Sequence, residues 1–244
     1  MESLLFYNFF ISTRFEYIPL NEIDKGKFSL NQNIRISKED LAADLYSPIR
    51  DKYPDGTNMK LSEILRYTTA ESDNVGCDLL LRLIGGPGIV EKYLHANNVN
   101  DLAIRHDEKT QQSNWENQFE NWTTPKAANL TLIKYYQNEN NLLSENSYNF
   151  LWETMKGTRI GQKSIRGELP PNTIIAHKTG HSGKNEEGIT GAMNDIGIVF
   201  LSNKEYFYLS VFVSNSKEDE QTNQKIIAEI AKAVWEYFIK KYVG

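Results

Sequence analysis

What this chain of 244 residues lacks narrows the field before any motif is read. It has a single cysteine, Cys77, so no internal disulfide can form; that fits a reducing compartment, and equally a secreted protein built without disulfides. It has no excess of positive charge. The balance of 27 Lys and Arg against 32 Asp and Glu leaves a net charge of −5, which argues against a nucleic-acid partner. No run approaches the roughly 18 apolar residues that would span a membrane, so no membrane association is expected. Repeats, low-complexity tracts and linkers are absent. His95, His106, His177 and His181 show no metal-ligand spacing, and Gly85-Gly86-Pro87-Gly88 is not followed by the Lys-Ser or Lys-Thr of a phosphate loop. No cofactor is therefore expected. The opening "MESLLFYNFFIS" is apolar but carries neither a basic start nor a small-residue cleavage site, so as written it is no export signal.

What is present reads as one domain over 1–244, with a helical lobe from about 30 to 165 and a sheet with a C-terminal helix from about 166 to 244. "LSEILRYTTAESDN" puts Leu61, Ile64 and Leu65 on one helical face, and "VGCDLLLRLI" continues until Gly85-Gly86 stops it. Thr124 is placed to cap a helix with Pro125 in its first turn. After Pro171 the pattern changes. "NTIIAHKTG", "GAMNDIGIVFLS" and "EYFYLSVFVS" read as strands, and "EDEQTNQKIIAEIAKAVWEYFIKKY" reads as a helix that is acidic at its start and basic at its end. Segregated helices and antiparallel strands make an α+β fold with a cleft expected where they meet.

Two short motifs fall on the two sides of that cleft. Ser72-Asp73-Asn74 follows the first helix; taken alone it reads first as a helix N-cap, and otherwise as a proton relay beside an amide contact. Lys178-Thr179-Gly180 ends a core strand with no acidic neighbour in sequence. It reads either as a strand leaving the core or as a binding edge for an anion. A cation and a hydroxyl suit a substrate carboxylate, and Gly180 lets the strand backbone come close to a ligand. Between the motifs runs a long polar loop, "RHDEKTQQSNWENQFENWTTPKAA", which is expected to be structureless and functional.

Together the pair resembles the penicilloyl serine transferases, and the loop narrows the likeness to the class A serine β-lactamases, in the branch common among Bacteroidetes-type bacteria. The phrases that carry it are "DKGKFSL", "YSPIRDKYPDG", "LLRLIGG", "NWTTPKAA", "AHKTGHSG", "NDIGI" and "VFVSNSKEDE", spread from about Asp24 to Tyr242. The resemblance implies a β-lactamase/transpeptidase-like fold, a small β-lactam substrate, a monomer and a periplasmic location. It implies Ser72, Glu108 and Lys178 as catalytic residues. Glu108, 36 residues after Ser72, would be the general base for the deacylating water. Gln112 would stand where an asparagine usually helps hold that water, and Tyr46 would form an aromatic wall. Asn74, Thr179, Gly180, His181 and Ser182 would complete the substrate contacts. A penicillin-binding protein or D,D-peptidase shares the two motifs but lacks the glutamate.

The family's nucleophile is a serine with a lysine three residues on, and here the chain departs. Its one Ser-x-x-Lys match, Ser214 to Lys217, lies after the last strand. Counting back from "DKGK" puts the expected nucleophile near Phe9. Ser12 is the nearest serine, but Phe15 follows it at the lysine position, and the guanidinium of Arg14 does not act as a base. The first twenty residues read as a lost, miscalled or frame-shifted segment, which opens the alternative of a remnant that binds β-lactams without turnover. His181, where the family favours a small residue, is expected to narrow the pocket or to point to solvent.

Overall fold

In the computed structural model the described residues are the backbone of Phe6–Tyr7 and residues 17–242. In chain order the elements are β1 (Phe6–Tyr7), α1 (Tyr17–Asp24), β2 (Asn33–Ile36), α2 (Pro48–Lys52), β3 (Thr57–Lys60), α3 (Leu61–Glu71), α4 (Asn74–Ile84) and α5 (Pro87–Ala96). They continue with β4 (Leu102–Ala103), α6 (Glu108–Ser113), β5 (Trp122–Thr123), α7 (Pro125–Tyr136), α8 (Glu145–Lys156), β6 (Ile175–His181), β7 (Thr190–Phe200), β8 (Tyr206–Ser216) and α9 (Glu220–Tyr242).

Local chemistry sets the helix ends. Asp73 caps α4 by accepting from the Gly76 N–H, and Gly85 closes it at φ 100°, a backbone region that side chains disfavour. Thr124 caps α7, with Pro125 following it at the first position, as its sequence predicts. Ser144 caps α8 through the Ser147 N–H. The hairpin β2–β3 was not evident from the sequence, because "NIRI" and "TNMK" are four residues each with little alternation.

The main sheet is antiparallel in the order β6-β7-β8. Its register sets Lys178 opposite Ile196 and Asp195 opposite Val211. Strand β7 is buried along almost its whole length, because both faces of the sheet are covered. On one face Ala176, Ile196 and Ile198 join a core with Leu61, Leu80 and Leu132 of the helices; on the other, Val199, Phe207, Leu209 and Val211 pack against Ile227 and Ala231 of α9. Burial of this kind is worth about 1.5–3 kcal/mol for each large aliphatic side chain.

The loop between α5 and α7 corrects the expectation that it is structureless. It holds two short strands and the six-residue helix α6, capped by Asp107 through the Thr110 N–H. Asn121 ties its two ends together: its side-chain oxygen accepts from the N–H groups of Arg105 and His106 at 2.7 and 3.0 Å, and its amide donates to the His106 carbonyl. Among the described residues no helix is long and apolar enough to cross a membrane.

Candidate active site

The helices and the sheet meet along a cleft of about 650 Å³. Nine of the ten residues singled out in the sequence line it; Lys178, the tenth, reaches it from behind Ser72. The site is therefore made of the motifs, brought together from segments more than a hundred residues apart.

Ser72 ends α3 in the left-handed conformation, φ 57° and ψ 38°. Such a backbone costs a non-glycine residue of order 1 kcal/mol, and here it turns the hydroxyl out of the helix toward the sheet. Asp73 is anchored below it. Its carboxylate accepts from Gly76 N and Ile49 N, each at 2.7 Å, and from the Ser47 hydroxyl at 2.9 Å. The N-cap reading is thus correct for Asp73, while Ser72 and Asn74 are left facing the cleft. The Asn74 N–H donates to the Tyr46 carbonyl at 3.1 Å, which sets Tyr46, 53% exposed, at the mouth.

Across the cleft, β6 presents Lys178 to Ser182. The Lys178 side chain is 1% exposed, and its ammonium donates to Ser72 Oγ at 2.6 Å and to the Thr179 carbonyl at 2.9 Å. A short charge-assisted bond of this kind holds the hydroxyl and eases its loss of a proton. Thr179 sits over Gly161, where φ is +71° and an added Cβ would lie 2.0 Å from Thr179 Cγ2. The Ser182 hydroxyl accepts from the Ala192 N–H at 2.9 Å and donates to the Gly183 carbonyl, so it braces the strand end. His181 is exposed at the rim; burial against the wall lowers its pKa, opposed by Glu220 and reinforced by Lys184. His177, beside Lys178, is fully buried with Nδ1 3.1 Å from the Asp195 carboxylate.

Glu108 opens α6 with its side chain 7% exposed, on the same cleft. Burial raises its pKa; the Gln112 amide at 3.2 Å, the Lys178 charge and the Cys77 thiol at 3.7 Å pull it back. Its backbone is pinned from behind by Asp78, which accepts from Glu108 N at 2.7 Å and Lys109 N at 3.0 Å. Burial, with Glu108 next in effect, pushes the Asp78 carboxyl up to about 7. Sequence reasoning missed Asp78 and Cys77. Their one signal was spacing, since both lie on the first turns of α4, just after Asn74. Trp115, Ser164 and Asn194 also line the cleft without having been singled out. Ser12 lies outside the described residues. Among the described residues no cluster of three or more His, Cys, Asp or Glu is arranged to hold a metal ion.

The geometry can be set beside known proteins. The family model for the beta-lactamase enzyme family matches residues 17–238. Beta-lactamase VEB-1 of Pseudomonas aeruginosa is 47% identical over 222 residues, which is 91% of this chain and 74% of that protein. Extended-spectrum beta-lactamase PER-1 of Pseudomonas aeruginosa is 35% identical over 92% of this chain and 72% of its own length. Among solved structures, the TLA-1 extended-spectrum beta-lactamase superposes with a TM-score of 0.91 at 42% identity, covering 96% of this chain and 85% of that one. A beta-lactamase from Chitinophaga pinensis gives 0.89 at 41% identity, covering 93% and 83%.

Proposed function

The chain belongs to the class A serine β-lactamase family, and from that premise we propose that its cleft binds β-lactams through their carboxylate and hydrolyses the ring. One observation carries the reading. The bond from Lys178 to Ser72, 2.6 Å long, joins the two lobes at a site that the buried Glu108 also faces. Lys178 and Thr179 hold the substrate carboxylate, and Asn74 contacts its side-chain amide. When the lactam C–N bond breaks, the nitrogen takes its proton from the Ser72 hydroxyl, which Lys178 has polarised. Glu108, which has taken the proton of the acylating hydroxyl through water, returns it through water to Ser72; it then takes a proton from the hydrolytic water as the water oxygen attacks the acyl carbon, and passes it to the enzyme oxygen as that bond breaks. The raised pKa of Glu108 suits a group that must accept and release that proton. Gln112, donating to Glu108 Oε2, holds the carboxylate on the water side. The glutamate favours hydrolysis over D,D-peptidase chemistry, and the periplasm is the compartment in which the activity protects a cell.

The acylating residue in this reading is Ser12. With Phe15 in the lysine position, its activation falls to Glu108 acting through water. Serines facing the cleft elsewhere, Ser72, Ser164 and Ser182, have no lysine three residues on either. That observation favours a second reading, reversible binding without turnover. Loss of the nucleophile in a serine hydrolase costs about 10⁶ in turnover. Intact mass after brief exposure to a penicillin and a cephalosporin separates the two, with hydrolysis of a chromogenic cephalosporin followed in the same samples. An adduct on Ser12 with turnover supports hydrolysis. No adduct, with saturable quenching of tryptophan fluorescence, supports binding alone.

A further inference from the structure

Two carboxylates line the cleft, Glu108 and Glu220, and among the described residues no lysine or arginine does; Lys178 reaches in from behind Ser72. Glu108 serves the water side. Glu220 opens α9, on a wall that the mechanism does not use. It is exposed, and the Gln224 amide donates to its Oε1 at 2.8 Å, but among the described residues no cation pairs with it. The neighbouring Asp219 is taken up by the helix end, accepting from the Thr222 N–H at 2.7 Å. Glu220 thus presents an uncompensated negative charge to a substrate cleft.

Its position decides which end of a substrate it meets. Successive strand residues alternate faces, so Ile175, Thr179 and His181 share one face of β6. That face is the one α9 covers: Ile175 packs with Ile227 and Ala231, and so does Met193, directly opposite His181. Burial lowers the His181 pKa and Glu220 raises it, so the carboxylate stands within reach of the same strand end. Thr179 and Glu220 therefore share one end of the cleft, with Ser72, Asn74 and Glu108 on the helical side. Thr179 is a substrate-carboxylate contact in the β-lactam reading above, and the present inference rests on that reading. In a cephalosporin the C-3 substituent hangs from the ring carbon next to the one that bears the carboxylate. The acylamino chain leaves the far side of the lactam ring, toward Asn74. The C-3 substituent is then the group that meets Glu220.

We propose that Glu220 selects among β-lactams by charge, favouring zwitterionic cephalosporins with a cation on the C-3 substituent over those whose C-3 substituent is neutral. The argument is Coulombic. A substrate carboxylate held at Lys178 and Thr179 is attracted by the ammonium and repelled by Glu220. A fixed positive charge on the C-3 substituent offsets that repulsion and adds an attraction of its own. An exposed pair of this kind changes affinity a few-fold, not by orders of magnitude. Lys184, which also lowers the His181 pKa, does not line the cleft. The selectivity comes as much from disfavouring the plain anion as from holding the zwitterion.

Two cephalosporins with one acyl side chain test it, one with a quaternary ammonium on the C-3 methylene and the other with an uncharged group of the same size. Equilibrium dialysis against the full chain gives their dissociation constants, and kcat/KM is compared wherever the ring is opened. The preference is the ratio between the two ligands, and comparing it across variants cancels their intrinsic reactivity. By dialysis the unsubstituted chain is expected to prefer the cationic ligand about fivefold in about 20 mM salt, and less than about twofold in about 0.5 M salt. Glu220→Gln brings the low-salt preference within about twofold, and Glu220→Lys inverts it. Binding of both ligands with a preference that Glu220→Lys leaves unchanged overturns the proposal and leaves the β-lactam reading standing. Binding of neither ligand overturns both.

Discussion

Two carboxylates, Asp73 buried behind the cleft and Glu108 on its wall, are held in opposite ways. Asp73 is fully buried and takes two backbone N–H groups and a hydroxyl at 2.7 to 2.9 Å. Glu108 is nearly as buried but receives only an amide at 3.2 Å and a thiol at 3.7 Å from side chains. Burial raises the pKa of both. In Asp73 the hydrogen bonds use up the lone pairs, and the group becomes part of the frame that points Ser72 and Asn74 at the cleft. In Glu108 the lone pairs are left underused, so the group retains capacity to take a proton. Satisfaction marks scaffold, and its shortfall marks chemistry.

Substituting each carboxylate sharpens that contrast. Glu108→Gln keeps the shape and removes the base. Hydrolysis of a chromogenic cephalosporin is expected to fall about 10³-fold, with little acylated protein accumulating in intact mass spectra, because Glu108 activates both the acylating serine and the water. Its unfolding midpoint in urea should hold or rise at pH 8, because the neutral amide escapes the burial penalty. An unchanged turnover would remove Glu108 from the mechanism. Asp73→Ala is the converse. It strands the Ile49 and Gly76 N–H groups and the Ser47 hydroxyl, and should cost about 3 kcal/mol in urea unfolding. A loss below about 1 kcal/mol would show that those donors find other partners.

The same distinction explains how much of the molecule could be read from sequence. Helices with an apolar period and capping residues, such as Leu61–Glu71 and Asn74–Ile84, were legible, as were the three long strands. The residues singled out for the site were legible as candidates because each has a donor or charge suited to the proposed chemistry, and they meet at one cleft. What escaped was structure with no apolar period: the hairpin of Asn33–Ile36 with Thr57–Lys60, and the polar helix Glu108–Ser113. The supports of the site also escaped. Nothing local marks Asp78 as the residue behind Glu108, or Asp195 as the partner of His177, because both contacts join segments about twenty to thirty residues apart. The hydroxyl of Ser182, which also lines the cleft, is bonded to the backbone of its own strand pair, and that support too was unmarked in the sequence.

Gly161 probes the cleft wall on the sheet side. Gly161→Ala places a methyl group against Thr179 at a positive φ, and the expected cost is about 2 kcal/mol, with Thr179 displaced. If the comparison between frame and chemistry holds, substrate affinity should fall more than the rate of the chemical step. A chemical step that falls while affinity holds would assign Thr179 more than a binding role.

Asp78 falls between the two carboxylates. It is as well bonded as a scaffold group, accepting two backbone N–H donors, yet it faces Glu108 and Asp107. Its folded pKa, about 7, stands well above the 3.8 of the free side chain. The folded protein therefore holds this proton more tightly than the unfolded chain does. Its contribution favours folding in the acid range and is lost as pH rises from about 4 through 7. Asp78→Asn removes that dependence. Measured as urea stability against pH, the difference between Asp78→Asn and the unsubstituted chain should shift in favour of the variant by about 2 kcal/mol between pH 5 and pH 7. Glu108, raised in the same sense, keeps part of the slope in the variant, and the double substitution with Glu108→Gln should flatten it further. A difference that stays constant with pH would place Asp78 with Asp73, as a frame residue whose hydrogen bonds outweigh its burial.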